Sequence, residues 1–241
     1  MKLLIEQQTG KKYLVKDITE DFHTFSGVIS TKDLKSKKNL VISNTGKKFL
    51  QFIPTFPDIW EQLQRGPQAV LQKDIGLIMA KTGINSASVV VDAGGGSGSL
   101  CLALANIAKK VIFYERNPEH YKLLARNIAQ SGMKNIELHP DDIYEGIAAK
   151  EVHGITLDLP EPWRAISAAE NALVLGGHLA VYLPNLTQVK TFTDAARKSS
   201  ITVVETVELL ERKWKVEGDI LRPEFQMLGH TGFLTFCRKV A

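Results

Sequence analysis

Residues Val89 to Leu100 read VVVDAGGGSGSL: an apolar run carrying an acid at Asp92, then glycine at every second position, Gly94, Gly96 and Gly98. A buried strand that turns sharply into a helix needs residues without Cβ, so that the backbone can bend and a ligand can approach its amides. Ser97, Gly98 and Ser99 can then present amides and hydroxyls at the helix N-terminus. The spacing chooses among ligands. A dinucleotide fingerprint, GxGxxG, would place its third glycine at Ser99. Glu115 lies 21 residues beyond Gly94 and ends a second apolar run, Val111-Ile-Phe-Tyr-Glu. A carboxylate at such a strand end can accept both ribose hydroxyls of a nucleoside ligand. Two alternatives stay open at this point, a nicotinamide dinucleotide and a glycine turn that binds nothing.

Further acids sit at the ends of later apolar runs. Asp141-Asp142 follows Ile136–His139, and Asp142 can serve as a helix N-cap, as a ligand contact, or as both. Asp158 opens Leu157-Asp-Leu-Pro-Glu-Pro-Trp163. An acid at the end of a buried strand, held by two prolines and an aromatic residue, is rigid and partly desolvated, which suits a functional site. Trp163 can either pack against a sheet or touch a substrate.

These groups need a scaffold that gathers strand ends. From Lys73 onward strands and amphipathic helices alternate: a helix around Ile75, Ile78 and Met79, strand 89–93, a helix from Ser99, and strand 111–115. A helix with Tyr121, Leu124, Ala125 and Ile128 on one face follows, then strand 136–139, strand 155–158, a helix from Trp163 and strand 178–183. That rhythm predicts an α/β fold, a parallel sheet covered on both faces, with ligands at the carboxyl ends of its strands. Val203–Leu210 and Phe233–Arg238 are β-like with no clear helix between them, and predict an antiparallel hairpin at the sheet edge. The result is a seven-stranded sheet whose last strands are antiparallel. The first 55 residues differ, with short β-prone runs at roughly ten-residue spacing: Lys2–Glu6, Lys12–Val15, Phe25–Ile29, Leu40–Ile42 and Phe49–Ile53. They predict a small β-barrel-like or sandwich domain over residues 1–57, ended by Pro54-Thr-Phe-Pro57 as a stiff linker. A connecting helix over Asp58 to Gln64 then opens a second domain, residues 58–241.

Composition narrows the setting. The chain has 241 residues, 44% apolar and 23% charged, ordinary for a globular protein. No apolar stretch approaches the roughly 20 residues of a membrane span, and the start Met1–Glu6 is too short for a signal peptide, so a cytoplasmic protein is expected. Cys101 and Cys237 read as small buried residues in a reducing compartment. The six histidines show no ligand-like spacing, so no metal site is expected. The net charge of +4 is unevenly spread: residues 1–60 hold ten lysines against six acids, and the remainder balances at twenty against twenty. The dense cluster Lys32-Asp-Leu-Lys-Ser-Lys-Lys38 is either a solvated face or a handle for a phosphate backbone.

Taken together the motifs resemble a known family. Acid-x-Gly-x-Gly-x-Gly resembles the first motif of class I methyltransferases that use S-adenosylmethionine. Nearly the whole chain is similar to the tRNA (adenine-N1)-methyltransferases that modify position 58 of the T loop, most of all their archaeal members. The likeness is carried by Arg65-Gly-Pro-Gln68 with Lys73-Asp74, the glycine loop, Tyr114-Glu115, Leu157–Trp163, Tyr182–Val189, Arg222-Pro223, and Gly229-His-Thr-Gly-Phe-Leu234. The resemblance implies S-adenosylmethionine as cofactor, tRNA as substrate and a homotetramer. It implies cofactor contacts at Gln68, Gly94, Gly96, Ser97, Gly98, Ser99, Leu100, Glu115, His120, Asp142 and Asp158, with Asp158 also catalytic. Leu71, Trp163, Tyr182 and His230 would face the substrate adenine. The sequence departs from the family at Leu71-Gln72, where many members carry tyrosine or histidine and then proline, at Asp141 in place of glycine, and at Leu175 in place of proline. Two other readings compete: a methyltransferase acting on a small molecule or protein, and a non-catalytic tRNA-binding subunit. The first would not need Leu157–Trp163 or a lysine-rich β domain, and the second would not need an intact glycine loop.

Overall fold

Uninterrupted apolar runs make strands that must be covered on both faces, whereas alternating runs make strands with one wet face. Both kinds occur in the computed structural model, which describes residues 1–64, 66 and 69–241. The chain forms two compact units, Met1–Leu63 and Gln64–Ala241.

The first unit contains β1 (Lys2–Glu6), β2 (Lys12–Val15), β3 (Phe22–Thr24), β4 (Gly27–Ile29), α1 (Thr31–Lys35), β5 (Leu40–Ile42), β6 (Lys48–Phe52) and α2 (Phe56–Glu61). Its four-stranded antiparallel sheet runs β2-β1-β6-β5, and β3 and β4 form a separate hairpin. Its edge strands β2 and β5 each pair on one side only, so this sheet does not close on itself as a barrel would. The hairpin is instead stitched to the turn after β5: Asn44 N donates to Val28 O, and Val28 N to Asn44 Oδ1. Leu4, Val15, Ile29, Leu34, Val41 and Phe49 fill the core. Thr31–Lys35, lying between the predicted strands, is helical, started by Ser30 accepting from Asp33 N. One local reading is corrected here. Phe56 and Pro57 open α2 and do not act as a linker, since proline tolerates the first helical turn, and the Asp58 carboxylate accepts from Thr55 N.

The second unit continues with α3 (Gln72–Thr82), β7 (Val89–Gly94), α4 (Ser99–Ala105), β8 (Lys110–Tyr114), α5 (Pro118–Ser131), β9 (Ile136–His139), β10 (Val152–Asp158), α6 (Ile166–Ala172) and β11 (Leu173–Leu183). It ends with α7 (Leu186–Ala196), β12 (Ile201–Glu208), β13 (Trp214–Glu217), β14 (Ile220–Pro223) and β15 (Phe233–Lys239). Seven strands make one sheet in the order β12-β15-β11-β10-β7-β8-β9. Neighbours from β11 to β9 pair in parallel, and β15 alone runs antiparallel to both of its partners. The predicted antiparallel pairing of the last strands is present at the sheet edge. β15 inserts between β11 and β12, burying Leu234, Phe236 and Cys237, and β12 with its alternating exposure forms the edge. The helix α7 was not evident in the sequence. Asn185 caps it by accepting from Gln188 N, and Val189, Phe192 and Ala196 supply its buried face. Trp163 lies in a short 3₁₀ turn, Pro162–Ala165, that leads into α6.

A buried polar cluster fastens α3 to the far end of the chain. Lys73 Nζ donates at 2.7 Å to Asp74 Oδ1, Leu209 O and Thr231 Oγ1, and Thr231 Oγ1 donates to Asp74 Oδ2 at 3.0 Å. The Lys-Asp pair and the Gly229–Leu234 segment are thus two halves of one contact. A charge pair this deep holds only because every donor meets an acceptor. Among the described residues, no helix is long and apolar enough to cross a membrane.

Candidate active site

The strand order reverses between β7 and β10: the chain passes from β7 outward through β8 to β9, then returns to β10 on the other side. Loops diverge at such a switch point and leave a crevice at the strands' carboxyl ends. A cavity of about 510 Å³ opens there, within the range of small-molecule sites. Of the residues expected from sequence, it is lined by Gly94, Gly96, Ser97, Glu115, His120, Asp142 and Asp158.

The glycine loop has positive φ at Gly94, Gly95, Gly96 and Gly98. At Gly94 the requirement is absolute, because a Cβ would lie 1.9 Å from the backbone oxygen of Asp158. A Cβ at Gly98 would meet Leu124 Cδ1 at 2.2 Å, so that glycine lets α5 pack beneath the loop. Ser99 and Leu100 are buried in the first turn of α4, behind the loop, and Ser97 is buried with its carbonyl held by Asn127 Nδ2 at 2.8 Å.

Glu115 is only 8% exposed, yet it lines the cavity. Its Oε1 accepts from Asn117 N at 2.8 Å, and its Oε2 stands 3.6 Å from His120 Nδ1. Each carboxylate oxygen keeps capacity for a further donor, so the group is a fixed acceptor for hydroxyls. Asp142 caps the 3₁₀ turn Ile143–Glu145 through Tyr144 N at 3.0 Å and pairs with Arg116 Nη1 at 2.8 Å. The N-cap role is therefore present, and it leaves the carboxylate on the cavity wall.

Asp158 ends β10 opposite Gly94, and burial pushes its carboxyl up to about 6. The segment after it is pinned from two sides: Gln188 Nε2 donates to Pro160 O, and Glu161 N donates to Tyr144 Oη. Trp163 packs against the sheet core, as the first of its two readings had it. Tyr182 lies against Gly232, whose Cβ would clash with its ring at 2.5 Å, and burial pushes the phenol up to about 12. His230 is clasped between Glu208 Oε1 at 2.6 Å and Pro184 O at 2.7 Å, and the Glu208 hydrogen bond raises its pKa. Leu71 stands at the N-cap of α3. Gln68 lies outside the described residues.

The sequence reading assigned no role to Tyr114, Arg116, Tyr144, Pro184 or Gln188, all of which line the cavity. Arg116 directly follows Glu115, and Tyr144 follows Asp142 by two, so the strand-end pattern already marked their neighbourhood. Pro184 and Gln188 come from the end of β11 and from α7, whose position only the folded sheet supplies.

The donor set suits S-adenosylmethionine: a backbone cradle that no Cβ could share, a buried acceptor at the end of the second strand, and a second carboxylate at the third. The fold and this site define a class I S-adenosylmethionine-dependent methyltransferase. Comparison with known proteins identifies the family. Residues 48–222 match the family described as tRNA methyltransferase complex GCD14 subunit, and the chain belongs to it. The tRNA (adenine(57)-N(1)/adenine(58)-N(1))-methyltransferase TrmI of Methanocaldococcus jannaschii is 33% identical over 98% of this chain and 94% of its own. A tRNA (adenine(58)-N(1))-methyltransferase TrmI of Thermus thermophilus is 30% identical over 98% and 96%. Among solved structures, a SAM-dependent O-methyltransferase from Thermotoga maritima superposes with a TM-score of 0.84 at 29% identity, covering 100% of this chain and 92% of its own. The tRNA (m1A58) methyltransferase TrmI from Aquifex aeolicus gives 0.78 at 26% identity, covering 100% and 96%.

Asp92 yields a prediction about stability. It is buried in β7, accepts a hydrogen bond from Thr156 Oγ1, and burial, with the nearby Asp158 charge, pushes its carboxyl up to about 8. The native pKa lies above the unfolded one, so between about pH 4 and 8 the native state keeps a proton that the unfolded chain has released. Its contribution to stability is full below that window and declines through it, by up to about 1.4 kcal/mol per pH unit. Asp92→Asn does not titrate and should therefore gain on the wild type as pH rises from 5 to 8. Urea midpoints at each pH measure this, and a constant difference between the two proteins would show that Asp92 is ionised in the native state.

Proposed function

We propose that this protein transfers a methyl group from S-adenosylmethionine to N1 of adenine 58 in the T loop of tRNA, with adenine 57 left open as a second position. The observation that carries the proposal is Asp158, a desolvated carboxylate on the switch-point cavity, in register with the first glycine of the loop. Membership of a tRNA methyltransferase family and the names of the TrmI relatives support the acceptor. We further propose a cytoplasmic homotetramer, with the lysine-rich first unit binding the RNA phosphates.

S-adenosylmethionine, when bound, supplies an electrophilic methyl group on a sulfonium. Gly94, Gly96, Ser97 and Gly98 would present backbone to its methionyl part. Glu115 would accept from the ribose hydroxyls, and Asp142 from the adenine amino group. Gln68, Ser99, Leu100 and His120 complete the proposed cofactor set, with Ser99 and Leu100 supporting the loop from behind. Neutral adenine already carries a lone pair on N1, so no strong base is required and alignment in a water-poor site lowers the barrier. Asp158 would accept from the exocyclic N6 of the target base. That hydrogen bond fixes which nitrogen faces the methyl group and stabilises the positive charge that develops on the ring. Position 58 must be extruded from the tRNA elbow at a cost of a few kcal/mol, which contacts to RNA shape and phosphates would offset. Tyr182, held against Gly232, and His230, held between two acceptors, are proposed to shape the substrate side of the cavity. Leu71 is proposed to give an apolar wall in place of the family's aromatic residue, and Trp163 to support the Asp158 segment from the core.

Four outcomes test this. Incubation with S-adenosylmethionine and unmodified tRNA should create a new reverse-transcriptase stop in the T loop, because a methyl on N1 blocks the pairing edge. Absence of that stop, with methyl transfer to a small molecule or protein instead, would overturn the acceptor. Glu115→Ala should weaken S-adenosylmethionine at least tenfold by calorimetry, about 1.4 kcal/mol, and unchanged affinity would remove Glu115 from the site. With Asp158 pushed up to about 6, kcat/KM should fall below that pH as the carboxylate takes a proton and ceases to accept from N6. Asp158→Asn should lose more than tenfold in kcat together with that acid limb, while still binding the cofactor. An unaltered pH profile in the variant would assign the limb to another group.

A further inference from the structure

The β3–β4 hairpin in the first unit presents an aromatic side chain directly to solvent. Phe25, at its tip, is 96% exposed, the highest value among the large apolar residues described. Such exposure would be a liability on a mobile loop, yet this tip is held on several sides. Thr24 Oγ1 donates to Gly27 O, and Ser26 N to Thr24 Oγ1. The next backbone carbonyl, that of Ser26, accepts from both Ser43 Oγ at 2.9 Å and Thr45 Oγ1 at 2.7 Å. Gly27 has φ +105 and packs so tightly on the Ser43–Thr45 turn that a Cβ would lie 2.6 Å from Asn44 Oδ1. The buried Glu6 carboxylate is held by hydrogen bonds from the Ser26 and Thr9 side chains, with Lys47 and Lys11 nearby, and its pKa is lowered accordingly. The backbone on either side of Phe25 is thus held by hydrogen bonds, while its ring faces water.

Its neighbours are cationic. Lys11 Nζ stands 4.6 Å from the centre of the Phe25 ring and 5.3 Å from that of Tyr13. Lys47, bonded to Gln8 Oε1, and Lys48 line a depression of about 370 Å³ together with Glu6, Gln7, Gln8 and Gly46, and the Glu6 carboxylate ties it to the hairpin through Ser26. A solvent-facing aromatic ring on a held turn, flanked by lysines, is an arrangement that can receive an unpaired nucleotide, the base stacking on the open face of the ring and its phosphates meeting the ammonium groups. The excess positive charge of the chain lies in this same quarter, which favours a polyanionic partner over a protein surface.

We propose that Phe25, with Lys11 and Lys47, is a stacking site for an unpaired base of the RNA substrate, lying in the first unit and separate from the methyl-transfer cavity. Stacking on a phenyl ring does not discriminate among bases, so the site would grip RNA without choosing its sequence. The proposal rests on the reading of tRNA as substrate.

The test uses the full chain and an unmodified tRNA transcript, with affinity measured by fluorescence anisotropy over a series of salt concentrations. Phe25→Ala should weaken tRNA about tenfold with the salt slope unchanged, since the ring is neutral. Phe25→Trp should bind as the wild type or tighter, whereas Phe25→Leu, which keeps an apolar side chain and loses the π face, should be as weak as the alanine variant. Lys11→Gln and Lys47→Gln should each reduce the salt slope by about one. Affinity for S-adenosylmethionine should be the same in all these variants. Wild-type affinity in Phe25→Ala or Phe25→Leu would overturn the stacking site, as would a change of molecular mass in solution, which would make Phe25 a contact between copies. If the wild-type chain methylates tRNA while Phe25→Ala binds it normally, this inference alone falls. If the wild type neither binds nor methylates tRNA, the proposed function falls with it.

Discussion

The parallel pairing of β7 with β10, which sets Gly94 against the backbone of Asp158, is the contact on which the site depends. It joins two segments 64 residues apart and brings the loop that can cradle a cofactor to the carboxylate that can hold a base. No side chain can be interposed at that point, so the loop has one available path over the sheet. The crevice, the exposure of the loop amides and the orientation of α4 follow from that path. The same pairing makes β7 and β10 central strands, and most of their residues, Asp92 and Thr156 included, are buried because the sheet is covered on both faces.

Burial distributes acidity among the carboxylates gathered there. Asp92, enclosed within the sheet, is pushed up to about 8, and Asp158, at the cavity, to about 6. Glu115 is as hidden as many core residues, but a backbone amide and the His120 ring face its two oxygens. Asp142 has Arg116 and Tyr144 N. The sheet places an acceptor toward each polar part that a nucleoside cofactor and an adenine substrate would present.

The C-terminal third closes the site from a distance. β15 enters between β11 and β12, so the Gly229–Leu234 segment reaches the open ends of the parallel strands, where Lys73, Asp74 and Thr231 fasten it. Tyr182, Pro184 and His230 are arranged by that junction. The neighbouring lysine and aspartate near the start of α3 thereby act on the cavity without lining it, by setting where the segment over β11 can lie.

Much of this was legible in the chain itself. The apolar runs ending at Gly94, Glu115, His139 and Asp158 marked four strand ends, and the glycine spacing marked the loop, because local sterics and the need to cover a sheet act over a few residues. The β-like composition of Val203–Leu210 likewise marked a strand. The motifs also carried the family resemblance, which the comparisons bear out. What sequence alone could not decide was set by contacts between remote segments. Phe233–Arg238 has the composition of any buried strand, and only the competition for sheet positions made it an interior strand rather than an edge. The helix α7 has a modest apolar face, and Asn185 becomes its cap only where β11 ends. Trp163, half-buried, packs against the core cluster from the 3₁₀ turn, a contact the two sequence readings could not decide. The partners of Lys73 lie as far as 158 residues away. Nor does any local pattern distinguish an aromatic residue in a core from one held in water, as Phe25 is. Local sequence dictates which conformations a segment can take, but burial, charge pairing and exposure depend on what the rest of the chain brings to that place.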